Sequence, residues 1–111
     1  MVTFQDILNA FNEYKQHECK QTKDTLWLLT DEIVGVLVKY EIKGRRIDDD
    51  DLHDTIQDTT TTLMERFLLA HFADIPWIES RVAYAMRDAR KKIKYRIEER
   101  EHDDFIEIIL N

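Results

Sequence analysis

Glycine and proline are rare in this 111-residue chain, which contains two glycines and one proline. Sheet-rich folds need many tight turns, and those turns depend largely on these two residue types. The shortage of turn residues therefore favours an all-α fold. At this length the chain is most simply one domain, residues 1–111, and it can bury a hydrophobic core without covalent or metal cross-links.

Apolar residues recur at helical spacing in four successive segments, which predicts a compact bundle of four main helices. The first predicted helix follows a capping box formed by Thr3 and Asp6 and runs to about Cys19. The second begins near Asp24, after a polar stretch, and is terminated by Gly44. Its β-branched segment "IVGVLV" leaves a strand open as the alternative. The expected buried positions are Phe4, Ile7, Leu8, Phe11 and Tyr14 in the first helix and Leu26, Leu29, Ile33, Leu37 and Tyr40 in the second.

The third predicted helix starts at the aspartates of residues 48–51, runs to about His71 and contains four consecutive threonines, residues 59–62. The aspartates supply an N-cap and favourable negative charge, and they lack the ligand pattern of an EF-hand calcium loop. The threonines together cost about 2 kcal/mol of helix propensity relative to alanine, so tertiary contacts or a surface requirement must outweigh that cost. We expect Thr59 and Thr60 to flank the apolar stripe and to donate to carbonyls one turn back. The apolar residues of that stripe are Leu52, Ile56, Leu63 and Phe67, and Thr59 shares their helical spacing.

The fourth predicted helix begins at Ile75, with Asp74 as its cap and Pro76 in its first turn, and runs to about Arg100. Its expected buried side comprises Ile78, Val82, Ala85, Ala89, Ile93 and Ile97. The segment "DDFIEIIL" then forms a short C-terminal tail, either helical or extended. This tail packs on the core or serves as an exposed contact to a partner or a second copy. The apolar residues available for such a contact are Phe105, Ile108 and Ile109.

The net charge of −7 is distributed unevenly along the chain. Residues 75–96 include seven basic and two acidic side chains, a local charge of +5, so the remainder carries −12. Such an asymmetry is typical of an anion-binding face on an acidic body. No run of about 18 apolar residues and no signal-peptide pattern occurs, which predicts a cytoplasmic protein without membrane contact.

The residues that carry most enzyme chemistry are not combined into a recognisable set in this sequence. Cys19 is the single cysteine, so no internal disulfide can form, and with His17 it makes only an H-x-C pair, too little for zinc. No nucleophile with a base and no phosphate-binding glycine loop is present. We therefore expect a protein without catalytic activity, bound metal or cofactor.

Two predicted helix faces carry residue types suited to binding partners. The outer face of the third helix presents Asp54, Gln57, Asp58, Thr61 and Glu65. Such a face can bind a basic helix, although a merely solvated face is the alternative. One line along the fourth helix contains Trp77, Arg81, Tyr84, Asp88, Lys91 and Tyr95. Bases of a single strand stack on aromatic rings while basic side chains neutralise phosphates. For Trp77 a core position remains open.

The two faces lie in segments that together resemble region 2 of the sigma-70 family, the promoter-specificity subunits of bacterial RNA polymerase. The segments are "DLHDTIQDTTTTLMERF" and, after a short gap, "WIESRVAYAMRDARKKIKYR". The family shows an acidic helix of the form D-x-x-D-L-V-Q-E-x-F-x-x-L-W, then a helix like W-L-x-x-I-A-x-N. The matching positions are Asp51, Asp54, Ile56, Gln57, Asp58 and Leu63 in the first and Trp77, Ile78, Val82 and Ala83 in the second. The resemblance covers roughly residues 30–96. The sigma-like part of the single domain is accordingly taken as residues 30–100.

In that family the acidic helix docks on the clamp helices of the polymerase core, and the later helix opens and reads the −10 promoter element. The resemblance thus implies a polymerase-binding surface of Asp54, Gln57, Asp58 and Thr61. It also implies a surface for single-stranded promoter DNA formed by Trp77, Arg81, Tyr84, Arg87 and Lys91. Thr61 and Thr62 would then lie on a partner-facing surface.

We therefore expect a non-enzymatic transcription protein. We expect no second DNA-binding domain for a −35 element, so a reduced sigma relative of phage or mobile-element type, or a co-sigma subunit, fits best. A small acidic phage-type protein that inhibits or modulates a host enzyme is the alternative, favoured by the −12 charge outside residues 75–96. The third possible class is a helical protein that oligomerises through the segment "FIEIIL".

Overall fold

Four α-helices and no strand make up the part of the chain that the computed structural model describes, the backbone of residues 1–110 and the side chains of residues 1–97. The helices are α1 (Phe4–Gln16), α2 (Lys20–Glu41), α3 (Asp49–Leu69) and α4 (Ile75–Leu110). This confirms the predicted all-α bundle, and "IVGVLV" lies inside α2, so the strand alternative is wrong. α3 packs between α2 and α4, and α1 packs on α2 and α4.

The boundary between the first two helices differs from the prediction. α1 ends at Gln16 rather than near Cys19, and α2 begins at Lys20 rather than near Asp24. The hydroxyl of Thr22 accepts a hydrogen bond from the backbone N–H of Cys19, at 3.3 Å, and donates to the carbonyl of His17. This side chain caps the N-terminus of α2, so the helix starts within the stretch that the sequence suggested was a polar connection.

The C-terminal end of the fold is a continuation of α4, which has 36 residues and ends at Leu110. No glycine or proline interrupts residues 77–110, so nothing in the sequence stops the helix near Arg100. Of the two forms considered for the tail, the helical one is found. The side-chain contacts expected of Phe105, Ile108 and Ile109 lie outside the described residues.

Local capping behaves as predicted at three places. Thr3 and Asp6 form a reciprocal capping box, with hydrogen bonds of 2.8 and 3.2 Å. Asp48 accepts from the N–H of Asp50 at 3.1 Å. Asp74 accepts from the N–H of Trp77 at 2.8 Å and starts α4. These caps fix where the helices begin, because each satisfies a backbone donor that has no partner in the first turn.

The hydrophobic core contains residues from all four helices. The fully buried large side chains include Ile7, Phe11, Leu26, Val34, Val38, Leu63, Met64, Phe67, Ile78 and Ile93. All six positions expected on the buried side of α4 are buried. Tyr40 of α2, expected to be buried, is 73% exposed, whereas Thr30, Val34 and Val38 are buried. α2 contacts both α1 and α3, so its buried arc is set by two neighbours and is displaced from the stripe predicted in the sequence.

Threonines fill much of the interface between α3 and its neighbours. Thr55, Thr59 and Thr60 are buried. As predicted, Thr59 donates to the carbonyl one turn back, that of Thr55, at 2.7 Å. For Thr60 the prediction is wrong, since its hydroxyl donates to Oδ1 of Asp31 on α2 at 3.1 Å. Each of these buried hydroxyls has a hydrogen-bond acceptor, so the threonines can be buried between helices without leaving an unpaired polar group.

Candidate functional site

The outer face of α3 is acidic and open to solvent. Asp54, Gln57, Asp58 and Glu65 are exposed, and Thr61 is half-buried with its hydroxyl donating to the carbonyl of Gln57 at 2.8 Å. The buried residues of α3 point to the opposite side of the helix. The structure therefore brings together the four residues predicted to bind polymerase, and Asp54 and Asp58 lie one helical turn apart.

Basic and aromatic side chains form the outer face of α4. Tyr84 and Tyr95 are 57% and 65% exposed, and Arg87 and Lys91 are also exposed. The guanidinium carbon of Arg81 lies 4.8 Å from the centroid of the Tyr84 ring, a cation–π contact. Because this contact holds Arg81 against an exposed ring, charge and aromatic surface are combined at one place on the helix.

Trp77, the remaining predicted DNA-binding residue, lies in an aromatic cluster with α1 and α3. Its ring centroid is 6.3 Å from that of Phe11 and 5.8 Å from that of Phe67, and Phe11 and Phe67 are 6.4 Å apart. The side chain is only partly exposed. This geometry matches the core position that the sequence left open for Trp77, so Tyr84 and Tyr95 are the exposed rings of the line.

The acidic and basic faces adjoin each other along the contact between α3 and α4. Oδ2 of Asp58 lies 3.6 Å from Nζ of Lys92, and both side chains are about half exposed. A cleft of about 260 Å³ follows this boundary and is lined by Thr59, Thr62, Ala85, Asp88, Lys91 and Lys92. The two predicted surfaces are therefore neighbours within one larger surface, which their separation in the sequence did not indicate.

Two arginines of α4 hold the helices together. Nη1 of Arg96 donates to the carbonyl of Asp51 at 2.7 Å and to the hydroxyl of Thr55. Nε of Arg90 lies 2.8 Å from Oε1 of Glu41 on α2. Part of the +5 charge of residues 75–96 is thus used in contacts of α4 with α2 and α3. Arg87, Lys91 and Lys94 remain exposed on the outside.

A groove between α2 and α3 borders the acidic face and was not predicted. It has a volume of about 250 Å³ and is lined by Trp27, Leu28, Asp31, His53, Ile56 and Gln57. Leu28, one of the lining residues, is 68% exposed. The sequence signal for this exposure was the position of Leu28 outside the apolar stripe of α2.

The remaining chemistry-bearing groups are few. The hydroxyl of Thr22, 3.4 Å from the thiol of Cys19, lowers the pKa of that exposed thiol below its ordinary value. Among the side chains of residues 1–97, no three histidine, cysteine, aspartate or glutamate residues converge on a position for a metal ion. Within the described helices, none combines the length and apolar character needed to cross a membrane.

Comparison of the chain with family models, with curated proteins and with solved structures found no match.

Proposed function

We propose that this chain is a non-enzymatic, cytoplasmic transcription protein. It binds bacterial RNA polymerase core through α3 and the single-stranded −10 region of promoter DNA through α4. The observation that carries the proposal is the outer face of α4, where Arg81 stacks on exposed Tyr84 and is followed by Arg87, Lys91 and Tyr95. This face lies directly beside the acidic face of α3.

The acidic face of α3 supports the polymerase half of the proposal. Asp54 and Asp58 are exposed carboxylates at i and i+4, about 6 Å apart along the helix. That spacing is complementary to basic residues one turn apart on a partner helix. Gln57 adds a hydrogen-bonding side chain between them. Charge complementarity of this kind mainly raises the rate of association and selects against wrong partners.

The α4 face supports the DNA half. Tyr84 and Tyr95 are eleven positions apart, about 16 Å along the helix axis, and each exposed ring can stack on an unpaired base for about 1–3 kcal/mol. Arg87 and Lys91 lie between these two tyrosines in the sequence, and their positive charges can neutralise phosphates. The acidic body opposes a polyanion, so we expect the free chain to bind DNA weakly. Binding becomes effective once polymerase holds the chain on the promoter.

A second candidate function is a small acidic protein, of phage type, that modulates a host enzyme by occupying a basic site. The packing of Trp77 against Phe11 and Phe67 favours it, because it removes one ring from the DNA-binding line. In that case α3 is the active surface and the basic residues of α4 serve mainly to hold the bundle together, as Arg90 and Arg96 do.

The deciding experiment uses purified bacterial core polymerase and the full chain. We expect the two to co-elute in gel filtration, and we expect the complex to bind a fluorescent oligonucleotide with the non-template −10 sequence more tightly than core alone. A scrambled oligonucleotide of equal length is the control. Binding to core without any gain in DNA affinity would support the modulator instead. Absence of binding to core would contradict the polymerase assignment.

A further inference from the structure

Lys92 belongs to neither predicted surface, yet it lies where the two surfaces meet. Its ammonium is 3.6 Å from the carboxylate of Asp58, which is one of the residues proposed to bind polymerase. Lys91, its neighbour in sequence, is on the proposed DNA-binding face. The side chains of Lys92 and Asp58 are 44% and 52% exposed, so a ligand can reach either one and compete for it.

The cleft beside this ion pair offers a phosphate few donors other than lysine. Thr59 and Thr62 line it, but their hydroxyls already donate to the carbonyls of Thr55 and Asp58, at 2.7 and 3.0 Å. A hydroxyl has one proton to donate, so these two groups have none left for an anion. The ammonium groups of Lys91 and Lys92 are the cationic donors that line the cleft.

Carboxylates on both sides of the cleft weaken its attraction for a phosphate. Asp58 pairs with Lys92 from α3, and Asp88 of α4 lines the same cleft. Arg96, one turn beyond Lys92, is bonded to the carbonyl of Asp51 and holds α4 against α3. Since the two helices are held in register here, loss of the Asp58 charge is expected to free Lys92 without separating them.

We propose that Lys92 is a further phosphate-binding residue of the α4 face, and that Asp58 masks it until a basic partner surface binds Asp58. The inference rests on the proposed function and adds a coupling between its two halves. A partner that binds the α3 face takes Asp58 away from Lys92, and the released ammonium can then bind a phosphate of the single strand. By linkage, DNA bound at Lys92 strengthens partner binding by the same factor.

An exposed ion pair contributes little, so the coupling is modest. We expect the release of Lys92 to raise the affinity for a single strand about two- to five-fold, the middle and upper part of the range found for exposed pairs. The test measures binding of a short fluorescent single-stranded oligonucleotide to the full chain at low salt, without polymerase. Asp58→Asn is compared with Asp54→Asn, which removes the same charge from the same face, and for Asp54 no ion pair is found among the side chains of residues 1–97.

We expect Asp58→Asn to bind the oligonucleotide about two- to five-fold more tightly than Asp54→Asn. Adding Lys92→Ala should abolish that difference and also reduce the salt dependence of binding. Equal affinities for the two single variants would overturn the coupling and leave the α4 assignment standing. Tight binding by the Asp58→Asn/Lys92→Ala variant would exclude Lys92 as a phosphate ligand. If no variant binds the oligonucleotide, alone or with polymerase, the DNA half of the proposed function fails together with this inference.

Discussion

Thr60 of α3 donates its hydroxyl hydrogen to Asp31 of α2 across 3.1 Å, and Thr60 is completely buried. This bond links α2 and α3. Alanine at position 60 would favour the helix, but it would leave the half-buried carboxylate of Asp31 without the hydroxyl donor. The bond therefore explains why a threonine stands at position 60, although the run of threonines at residues 59–62 lowers the helix propensity of α3. Thr59 satisfies its hydroxyl within the helix, and Thr62 does so on the exposed side.

Replacing Thr60 with valine tests this bond while keeping the shape of the side chain. We expect the free energy of unfolding to fall by about 1–3 kcal/mol, because the hydrogen bond to a carboxylate is lost and Asp31 keeps its desolvation cost. Urea denaturation of the wild type and the variant measures the change. Thr62→Val is the matched control and should change stability by less than about 0.5 kcal/mol. Equal losses for both variants would show that the Asp31 contact contributes nothing.

The aromatic cluster predicts that Trp77 acts mainly through stability. Trp77→Ala removes a ring packed on Phe11 and Phe67, so we expect the free energy of unfolding to fall by about 3 kcal/mol. Tyr84→Ala removes an exposed ring and should cost less than about 1 kcal/mol, mainly the contact with Arg81. Thermal and urea unfolding measure both. Should Trp77→Ala unfold at the same urea concentration as the parent, the ring is not part of the core.

Charge reversal of the acidic face tests the polymerase contact. Asp54→Lys/Asp58→Lys should leave the fold nearly intact, since each exposed substitution usually costs within about 0.5 kcal/mol. The variant should lose binding to polymerase core because like charges then face the basic partner. Co-elution with core measures binding, and Glu13→Lys/Glu18→Lys, an equal charge change at exposed positions of α1 and the α1–α2 connection, is the control. Unchanged melting with unchanged retention would remove the α3 face from the proposal.

Neutralising the basic line tests the DNA contact. Arg81→Ala/Arg87→Ala/Lys91→Ala should abolish promoter opening and spare polymerase binding, because the two activities lie on different helices. Steep salt dependence of single-strand binding should also be lost. Permanganate reactivity of the −10 region measures opening. The matched control is an equal loss of charge at exposed lysines elsewhere, by alanine at Lys20, Lys23 and Lys39.

The outcome of that experiment can be separated from misfolding. Arg81 is half-buried against Tyr84, so the double variant Arg87→Ala/Lys91→Ala, which changes only exposed residues, is measured beside the triple one. Normal promoter opening by the triple variant would refute the assignment of α4. Loss of polymerase binding by the double variant would also refute the assignment of α4 to DNA binding, and it would favour the modulator function.

Features set by a few neighbouring residues could be predicted from the sequence. The capping box of Thr3 and Asp6 and the cap at Asp74 depend on side chains three residues from the backbone groups they bind. The buried side of α4 follows from a helical repeat of apolar residues. The exposure of Asp54 and Asp58 on one face follows from the same periodicity. Local rules were sufficient here because each involves one helix alone.

Features that depend on two helices were decided only by the tertiary structure. Tyr40 is exposed because α1 and α3 together set which arc of α2 is buried. The hydroxyl of Thr60 finds Asp31, 29 positions earlier in the chain, rather than its own helix. Whether Trp77 stacks on a base or on Phe67 depends on where α3 ends relative to α4. The pairing of Asp58 with Lys92, which joins the two candidate surfaces, exists because α3 and α4 pack side by side. Helical periodicity fixes the direction of each side chain around its own axis, but the neighbour that it meets is set by how the helices pack.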